Sequence, residues 1–314
     1  MPTFTRKPLE GLFPLIPLSL DDDEEIDLEG VRHSVRLVAA GSAPGCIVFG
    51  SMGQMTNVSE KEFDAVTEAA VDEGHRAGIA VVVGSTAAYQ REAVRRARYA
   101  ERVGADGSML AAPYALPVTP AWAMAFFTEV AESLDGDMAL MVYNYSPLNG
   151  LNITPEMWES LLDIENIKAI KESNFALPHF DQILLTIADR VNVFSGNDPA
   201  FFHASKLGAA GATGIFSWAG LKTGTRFIEE CRKGNHDDPW VRKAFEALQR
   251  MSASIRKPGM PLMLSHEHGY LNAISELGGA SPGSPRKPYR RIPESAVEEL
   301  RAAAGSLQAL EADL

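Results

Sequence analysis

The sequence has little of what would tie the protein to a membrane, a nucleic acid or an oxidising compartment. Its 314 residues include only two cysteines, Cys46 and Cys231, without the spacing of a disulfide framework or a zinc site. No apolar run approaches the roughly 18 residues of a membrane helix, and residues 1–7 lack a signal-peptide pattern. The 29 Lys and Arg residues are outnumbered by 41 Asp and Glu, and a net charge of −12 opposes binding to phosphate backbones. We therefore expect a cytoplasmic protein that has no nucleic-acid or membrane partner and needs no metal.

What is present is the balance of a globular protein, with 46% hydrophobic and 22% charged residues. From residue 11 to about residue 232, short apolar runs alternate with helical patterns, which is typical of a parallel sheet with crossover helices. Eight runs are enough for a (β/α)8 TIM barrel. They are Leu12–Leu18, Cys46–Gly50, Ile79–Gly84, Ser108–Ala112, Met138–Asn144, Ile167–Ser173, Val191–Gly196 and Ala212–Ser217.

The remaining sequence predicts a helical appendage. We expect the barrel to occupy residues 1–234 and a C-terminal helical region, residues 235–314, to pack on it. The expected helices of this region are Asp238–Ser254, Pro261–Leu277 and Pro293–Leu310. Within the barrel, Ser59 with Glu62 predicts a capping box, and Thr119 and Thr154 each precede a first-turn proline. Glycines 41, 104 and 208 are expected to end helices.

Reactive groups of a barrel enzyme belong at the C-terminal ends of its strands. The sixth run contains Lys168 and Lys171, which have opposite strand parity, and only Lys171 lies near the C-terminal end. A lysine that points into a barrel must be paired or neutral, and a neutral amine can attack a carbonyl. The sequence leaves both possibilities open, since a salt bridge to Glu172 or to another strand-end carboxylate would also explain Lys171.

Two further features point to the same end of the barrel. Tyr143 ends the fifth run, one strand from Lys171, where a phenol could relay protons or simply fill the core. The turn Gly50–Gln54 follows the second run and has two glycines. Its backbone N–H groups could hold a carboxylate, although such a turn is often structural only.

The joint pattern resembles the dihydrodipicolinate synthase/N-acetylneuraminate lyase family, and the resemblance runs from about Leu9 to Gly278. Gly50-Ser51-Met52-Gly53-Gln54 is similar to the family's Gly-Ser/Thr-Thr-Gly-Glu turn. Tyr143-Asn144 is similar to its Tyr-Asn-x-Pro motif, and Ile170-Lys171-Glu172-Ser173 to its Ile-Lys-Glu-Ala/Ser motif. The segments Phe194–Asp198 and Leu207–Ser217 resemble two later family motifs.

The resemblance implies roles for individual residues. Lys171 would be the Schiff-base lysine, Tyr143 the proton relay, and Ser51 the hydroxyl that links Tyr143 to the substrate carboxylate, which the backbone amides of Ser51 and Met52 would bind. The lysine imine would replace any cofactor, and the family's usual state implies a homo-oligomer, a dimer or tetramer. The expected substrate-binding residues are Gly50, Met52, Tyr114, Tyr145, Leu148, Ser173, Gly196, Ile215 and Ser217.

Departures from the family pattern bear on the substrate. Leu148 stands where the synthase has an arginine, and Ala115 follows Tyr114 where the synthase has a second tyrosine. Gln54 replaces the usual glutamate of the turn. These changes argue against the synthase activity of lysine biosynthesis. The residues expected around the opening predict a more apolar or aromatic acceptor; they are Tyr114, Tyr145, Leu148, Asn174, Phe175 and Trp218.

The expected function is that of an aldolase or lyase that acts on pyruvate or a larger 2-oxo acid with an aldehyde partner. A hydratase-aldolase reaction is included in this expectation. Dehydration or decarboxylation through the same imine is one alternative. A non-catalytic protein that binds a 2-oxo acid is another. An unrelated phosphate-binding barrel is disfavoured, because no Gly-rich phosphate loop surrounds Gly196 or Gly220.

Overall fold

The computed structural model of the chain describes residues 6–114, 116–174, 176–255 and 266–314. Ala115, Phe175 and the first residues of the expected helix Pro261–Leu277 lie outside this part. The strands are β1 Gly11–Pro14, β2 Gly45–Val48, β3 Ala80–Gly84, β4 Gly107–Ala111, β5 Ala139–Asn144, β6 Ile167–Glu172, β7 Asn192–Ser195 and β8 Gly211–Gly214. The helices of the described residues are α1 Leu28–Ala40, α2 Glu60–Ala77, α3 Gln90–Arg102, α4 Pro120–Glu132, α5 Ser146–Asn149, α6 Pro155–Leu161, α7 Leu177–Ile187, α8 Phe201–Ala204, α9 Leu221–Arg232, α10 Pro239–Ser254, α11 Glu267–Leu277 and α12 Glu294–Ala312.

The eight strands form one parallel sheet in the order β1-β8-β7-β6-β5-β4-β3-β2. A parallel bridge between Leu15 and Ile47 joins the two outer strands, so the sheet is a nearly closed barrel. All eight strands begin within one residue of the expected apolar runs, and most of their residues are buried. The (β/α)8 prediction is confirmed.

Several strands are shorter than the runs that predicted them. β8 ends at Gly214, whereas the run continued to Ser217, and residues Phe216–Ala219 form a 3-10 helix instead. β1 ends at Pro14, four residues before the end of its run. An apolar run shows that a segment is buried, not that it is a strand. These segments stay buried after they leave the sheet, so the predicted strand lengths were wrong.

Helix ends follow the sequence signals closely. Ser59 and Glu62 form the expected capping box, and the hydroxyls of Thr119 and Thr154 accept hydrogen bonds from the first turns of α4 and α6. Glycines 104 and 208 have the left-handed conformation expected after a helix, with φ values of 92° and 95°. Gly41 does not, at φ −75°, and Ser42 takes the left-handed position instead, at φ 61°.

The C-terminal helices pack beside the end of the barrel. α10 contacts α12, and α11 lies against the 3-10 helix that follows β8. The contact is close, since a Cβ atom at Gly278 would lie 2.1 Å from the carbonyl oxygen of Trp218. This packing brings the first turn of α11 toward the C-terminal ends of the strands. None of the helices in the described residues is both long and apolar enough to cross a membrane.

Candidate active site

Lys171 is the buried amine of the barrel. It lies one residue before the end of β6, and its neighbours in the sheet are Tyr143 on β5 and Phe194 on β7. Only 2% of the residue is exposed, and its Nζ atom lies 4.0 Å from the centroid of the Tyr143 ring. Burial lowers the pKa of Lys171 to about 7, although the carboxylate of Glu267 acts in the opposite direction. A large share of the amine is therefore neutral near neutral pH.

The adjacent carboxylate does not pair with this amine. Glu172 is fully buried, and its oxygens accept hydrogen bonds from Asn144 Nδ2, at 2.9 Å, and from the Asn174 backbone N–H, at 2.7 Å. Because successive strand residues point to opposite faces, Glu172 and Lys171 diverge. The salt bridge that the sequence left open is not among the ion pairs of the described residues. Lys168, at the start of the same strand, is exposed as expected.

Tyr143 lies beside the amine and is linked to two serines. It is 3% exposed, and burial raises the pKa of its phenol well above the usual value, so the group stays protonated. The hydroxyls of Ser51 and Ser173 hydrogen-bond to it and oppose part of that shift. The structure thus brings Lys171, Tyr143, Ser51 and Ser173 together.

Ser173 fits beside Tyr143 because Gly196, which follows β7, has no side chain. A Cβ atom at Gly196 would lie 2.0 Å from Ser173 Oγ and 2.9 Å from the carbonyl oxygen of Glu172. The Gly196 amide also donates to that carbonyl, at 2.8 Å. Gly196 therefore serves the site through close approach of its backbone.

The Gly50–Gln54 turn lies at the end of β2. The Gln54 amide donates to the Ser51 carbonyl at 3.2 Å, and the Met55 amide donates to the Gly50 carbonyl at 3.4 Å. Ser51 and Met52 are both buried, and within the described residues their own amides donate to no protein acceptor. Two unused N–H groups in a tight turn are suited to an anion.

The strand end before this turn is held in an unusual conformation. Phe49 has a left-handed φ of 56°, which bulky residues adopt rarely. The neighbouring strand accommodates it, since a Cβ atom at Gly84 would lie 1.9 Å from the Phe49 carbonyl oxygen. This geometry turns the chain sharply out of β2 and aims the turn at the barrel mouth.

The segment after β8 is organised by a buried carboxylate. Asp198 accepts hydrogen bonds from the amides of Ile215, at 2.9 Å, and Ser217, at 2.6 Å. Burial raises the pKa of Asp198 to about 6 against the effect of these bonds. Trp218 is fully buried, and its Nε1 donates to the Leu15 carbonyl at 2.8 Å. Ile215, Ser217 and Trp218 thus lie in the barrel wall, where the amides of Ile215 and Ser217 and the Trp218 indole N–H are engaged.

The outer residues of the expected site lie on loops and on the short helix α5 at the same end. Tyr114, Leu148 and Asn174 are half-buried, and Asn174 Nδ2 donates to Asn152 Oδ1 at 3.0 Å. Tyr145 is also half-buried, and its ring stacks on Tyr143 with centroids 5.4 Å apart and planes 4° apart.

Glu267, in the first turn of α11, joins the site although the sequence analysis did not identify it. It is 7% exposed, and its Oε2 accepts a hydrogen bond from the Tyr145 hydroxyl at 3.4 Å. Burial raises the pKa of Glu267 to about 7, and the nearby Lys171 limits the rise. The sequence offered no signal for it, because Glu267 falls inside the expected helix Pro261–Leu277, where an acidic residue is ordinary.

The C-terminal region is anchored on the turn that follows β2. His268 Nδ1 lies 3.1 Å from the Met52 carbonyl oxygen, and burial lowers the pKa of this histidine. The Arg286 amide donates to Gln54 Oε1 at 2.9 Å, and the Arg286 guanidinium contacts Glu62 at 2.6 Å. These contacts fix the start of α11 above the barrel mouth.

Comparisons with known proteins identify the family of the chain. The model of the dihydrodipicolinate synthetase family matches residues 8–306. The chain is 30% identical over 291 residues to a 4-hydroxy-tetrahydrodipicolinate synthase from Methanosarcina acetivorans, which covers 86% of this chain and 98% of that protein.

Two solved structures share the fold. One is YagE of Escherichia coli K12, a prophage protein of the dihydrodipicolinic acid synthase family in complex with pyruvate; the TM-score is 0.85 at 21% identity, over 96% of this chain and 99% of that one. The other is CdNal from Clostridium difficile in complex with mannosamine, with a TM-score of 0.83 at 18% identity, over 96% of this chain and 100% of that one.

Proposed function

Because the chain belongs to the dihydrodipicolinate synthetase family, whose members are pyruvate-dependent class I aldolases and lyases, we propose that Lys171 forms a Schiff base with pyruvate or a larger 2-oxo acid. The chain is an enzyme of this aldolase and lyase type. The proposed reaction is aldol cleavage or condensation, with an aldehyde as the second small molecule.

The observation that carries the proposal is the state of Lys171. An ordinary lysine is protonated near neutral pH and is a poor nucleophile, whereas burial lowers the pKa of this one to about 7. The phenol of Tyr143 lies against the amine, and two hydroxyls connect to that phenol. A nucleophile and a proton relay therefore meet at one place.

The proposed reaction begins when the neutral amine attacks C2 of the 2-oxo acid. Tyr143 passes a proton to the carbinolamine oxygen, water leaves, and a protonated imine remains. The unused amides of Ser51 and Met52 would hold the substrate carboxylate. The C4 hydroxyl then gives its proton to a base of the site, the C3–C4 bond breaks, its electron pair moves toward the imine nitrogen, and an enamine and an aldehyde result. Protonation at C3 and hydrolysis release pyruvate and restore Lys171.

The residues near the opening support an acceptor other than that of the lysine-pathway synthase. Leu148 is half-buried at the site's edge and offers no charge to a second carboxylate. Tyr145 adds an aromatic face stacked on Tyr143. We expect the acceptor to be an aldehyde with an apolar or aromatic substituent. A homo-oligomeric state and a cytoplasmic location remain predictions.

Reductive trapping tests the Schiff base. The protein is incubated with pyruvate and cyanoborohydride, and adducts are located by intact and peptide mass spectrometry. A pyruvate adduct on Lys171 is expected in the wild type and in Lys168→Ala, because Lys168 is exposed on the same strand, but not in Lys171→Ala. If pyruvate and larger 2-oxo acids all leave the wild type unmodified, the proposal fails and a non-catalytic binding protein becomes the better explanation.

A second candidate shares the imine but loses water instead of breaking a carbon–carbon bond. The observation that favours it is Glu267, a buried carboxyl near the site whose raised pKa of about 7 would let it act as an acid toward a leaving hydroxyl. Product analysis separates the two reactions. With a 4-hydroxy-2-oxo acid as substrate, pyruvate and an aldehyde as products indicate cleavage, whereas an unsaturated or deoxygenated 2-oxo acid without an aldehyde indicates dehydration.

A further inference from the structure

The Tyr145–Glu267 pair is a second polar unit of the site, separate from the one that serves the imine. Tyr143 already contacts Lys171 and hydrogen-bonds to the hydroxyls of Ser51 and Ser173. Tyr145 follows two residues later, just past the end of β5, and its ring stacks on that of Tyr143 with centroids 5.4 Å apart. Tyr145 is half-buried, whereas Tyr143 is only 3% exposed, so Tyr145 is the outer of the two rings.

The order of the rings matches the order of atoms in a substrate. Once C2 is bonded to Lys171, C3 and C4 of a 4-hydroxy-2-oxo acid extend away from that amine. The site opens at the C-terminal ends of the strands, and Tyr145 is the more exposed of the two stacked tyrosines. Its phenol is therefore suited to meet the oxygen on C4 of a substrate that extends from the imine toward this opening.

A phenol alone is a poor acceptor for the proton of that hydroxyl. Burial and the nearby carboxylate of Glu267 raise the pKa of Tyr145, so a tyrosinate is disfavoured. Its hydroxyl donates to Glu267 Oε2 at 3.4 Å, a long hydrogen bond of the kind that often shortens when substrate binds. Glu267 is 7% exposed, so water competes little for this bond.

Glu267 lies outside the barrel strands and is placed by the contacts of its own helix. His268, the next residue, contacts the Met52 carbonyl oxygen at 3.1 Å, and its ring packs edge-on against Tyr289 with centroids 4.5 Å apart. The first turn of α11 is thus fixed to the turn that follows β2. A carboxylate held in this way by a helix outside the barrel is available for a function of its own.

We propose that Tyr145 and Glu267 act together as the acid–base pair for the aldehyde-side oxygen of the substrate, with Tyr145 contacting that oxygen and Glu267 taking the proton. This inference rests on the Schiff-base function proposed above. In cleavage, the C4 hydroxyl proton moves to the Tyr145 oxygen as the Tyr145 proton moves to Glu267. The C4–O bond becomes a carbonyl, the C3–C4 bond breaks, and its electron pair forms the enamine. Condensation reverses each transfer.

Three measurements on the full-length protein separate the steps. Trapping with pyruvate and cyanoborohydride reports the imine, and exchange of the pyruvate C3 hydrogens in D2O, followed by NMR, reports the enamine. Neither step involves an aldehyde. Condensation of pyruvate with acetaldehyde, glyceraldehyde and benzaldehyde as probes, also followed by NMR, reports the aldehyde-side step.

The variants are Tyr145→Phe, Glu267→Gln and the double change. Each single variant should keep trapping and C3 exchange within about threefold of wild type and lose condensation by about 100-fold, the lower end of acid–base contributions. The double variant should lose no more than either single variant, since the two groups act as one unit. Glu267→Asp should recover part of the rate. Glu276→Gln is the matched control, because Glu276 is on the same helix but pairs with Arg291.

The outcomes are distinct. Normal condensation in Glu267→Gln would overturn the pairing, and so would a parallel loss of trapping, which would place Glu267 at the imine. A wild type that exchanges C3 hydrogens but condenses none of the probe aldehydes would also contradict it, because no aldehyde-side step would exist. A wild type that forms no adduct with pyruvate or with any larger 2-oxo acid would instead defeat the Schiff-base proposal.

Discussion

The lowered pKa of Lys171 makes a quantitative prediction for the pH dependence of imine formation. A lysine with the ordinary pKa of 10.5 is neutral in roughly one molecule in 3,000 at pH 7, whereas a pKa of about 7 leaves about half of the molecules neutral. The gain in reactive amine is therefore about 1,000-fold. Only the neutral form attacks C2, so the rate should rise tenfold per pH unit below about pH 7 and then level off.

The assay is the initial rate of pyruvate adduct formation with cyanoborohydride, measured by intact mass spectrometry from about pH 5 to about pH 10. Lys168→Ala should reproduce the wild-type profile, because Lys168 is exposed and away from the site. Glu267→Gln should move the midpoint to lower pH, since the carboxylate raises the pKa of Lys171. A wild-type rate that keeps rising tenfold per unit toward pH 10 would refute the reasoning, because the buried amine would then titrate as an ordinary lysine.

Three further predictions concern Lys171, Gly196 and Tyr143. Lys171→Met should abolish the adduct and raise the free energy of unfolding in urea by about 2 kcal/mol at pH 7, because a buried amine is costly. The unfolded chain binds more protons between pH 7 and 10.5, so wild-type stability should rise with pH in that window and the Met variant should lack the rise. Gly196→Ala should destabilise the protein by about 2 kcal/mol in the same assay, since its Cβ atom would lie 2.0 Å from Ser173 Oγ. Tyr143→Phe should slow trapping by at least about 100-fold while circular dichroism stays unchanged, and a wild-type rate would exclude Tyr143 as the proton relay.

The sequence predicted the barrel and the inner site for a shared physical reason. Strands buried on both faces need nearly continuous apolar residues, so a polar residue at the end of such a run is conspicuous. Lys171 and Tyr143 stood out in this way, and strand parity separated Lys171 from Lys168. The structure places both side chains together at neighbouring register positions.

Residues beyond the strand ends were harder to assign. Trp218 was expected near the opening, yet it lies fully buried in the wall, because the chain after β8 curls into a 3-10 helix tied to Asp198. This 3-10 helix depends on the carboxylate of Asp198, which follows β7. Nothing in the local sequence of Phe216–Ala219 signals that contact. Where the chain leaves the sheet, the two-residue alternation of a strand no longer predicts the direction of each side chain.

The two buried glutamates show why a site cannot be assembled from sequence neighbours alone. Glu172 follows Lys171 in the chain, but the strand turns it to the other face, where Asn144 and the Asn174 amide hold it. Glu267 is far along the chain, but α11 brings it close enough for its charge to raise the pKa of Lys171. A carboxylate bonded directly to the amine would have kept Lys171 protonated and unreactive. Folding instead directs the near carboxylate away from the amine and brings a distant one to Tyr145, which is the arrangement that the proposed roles of Lys171 and Glu267 require.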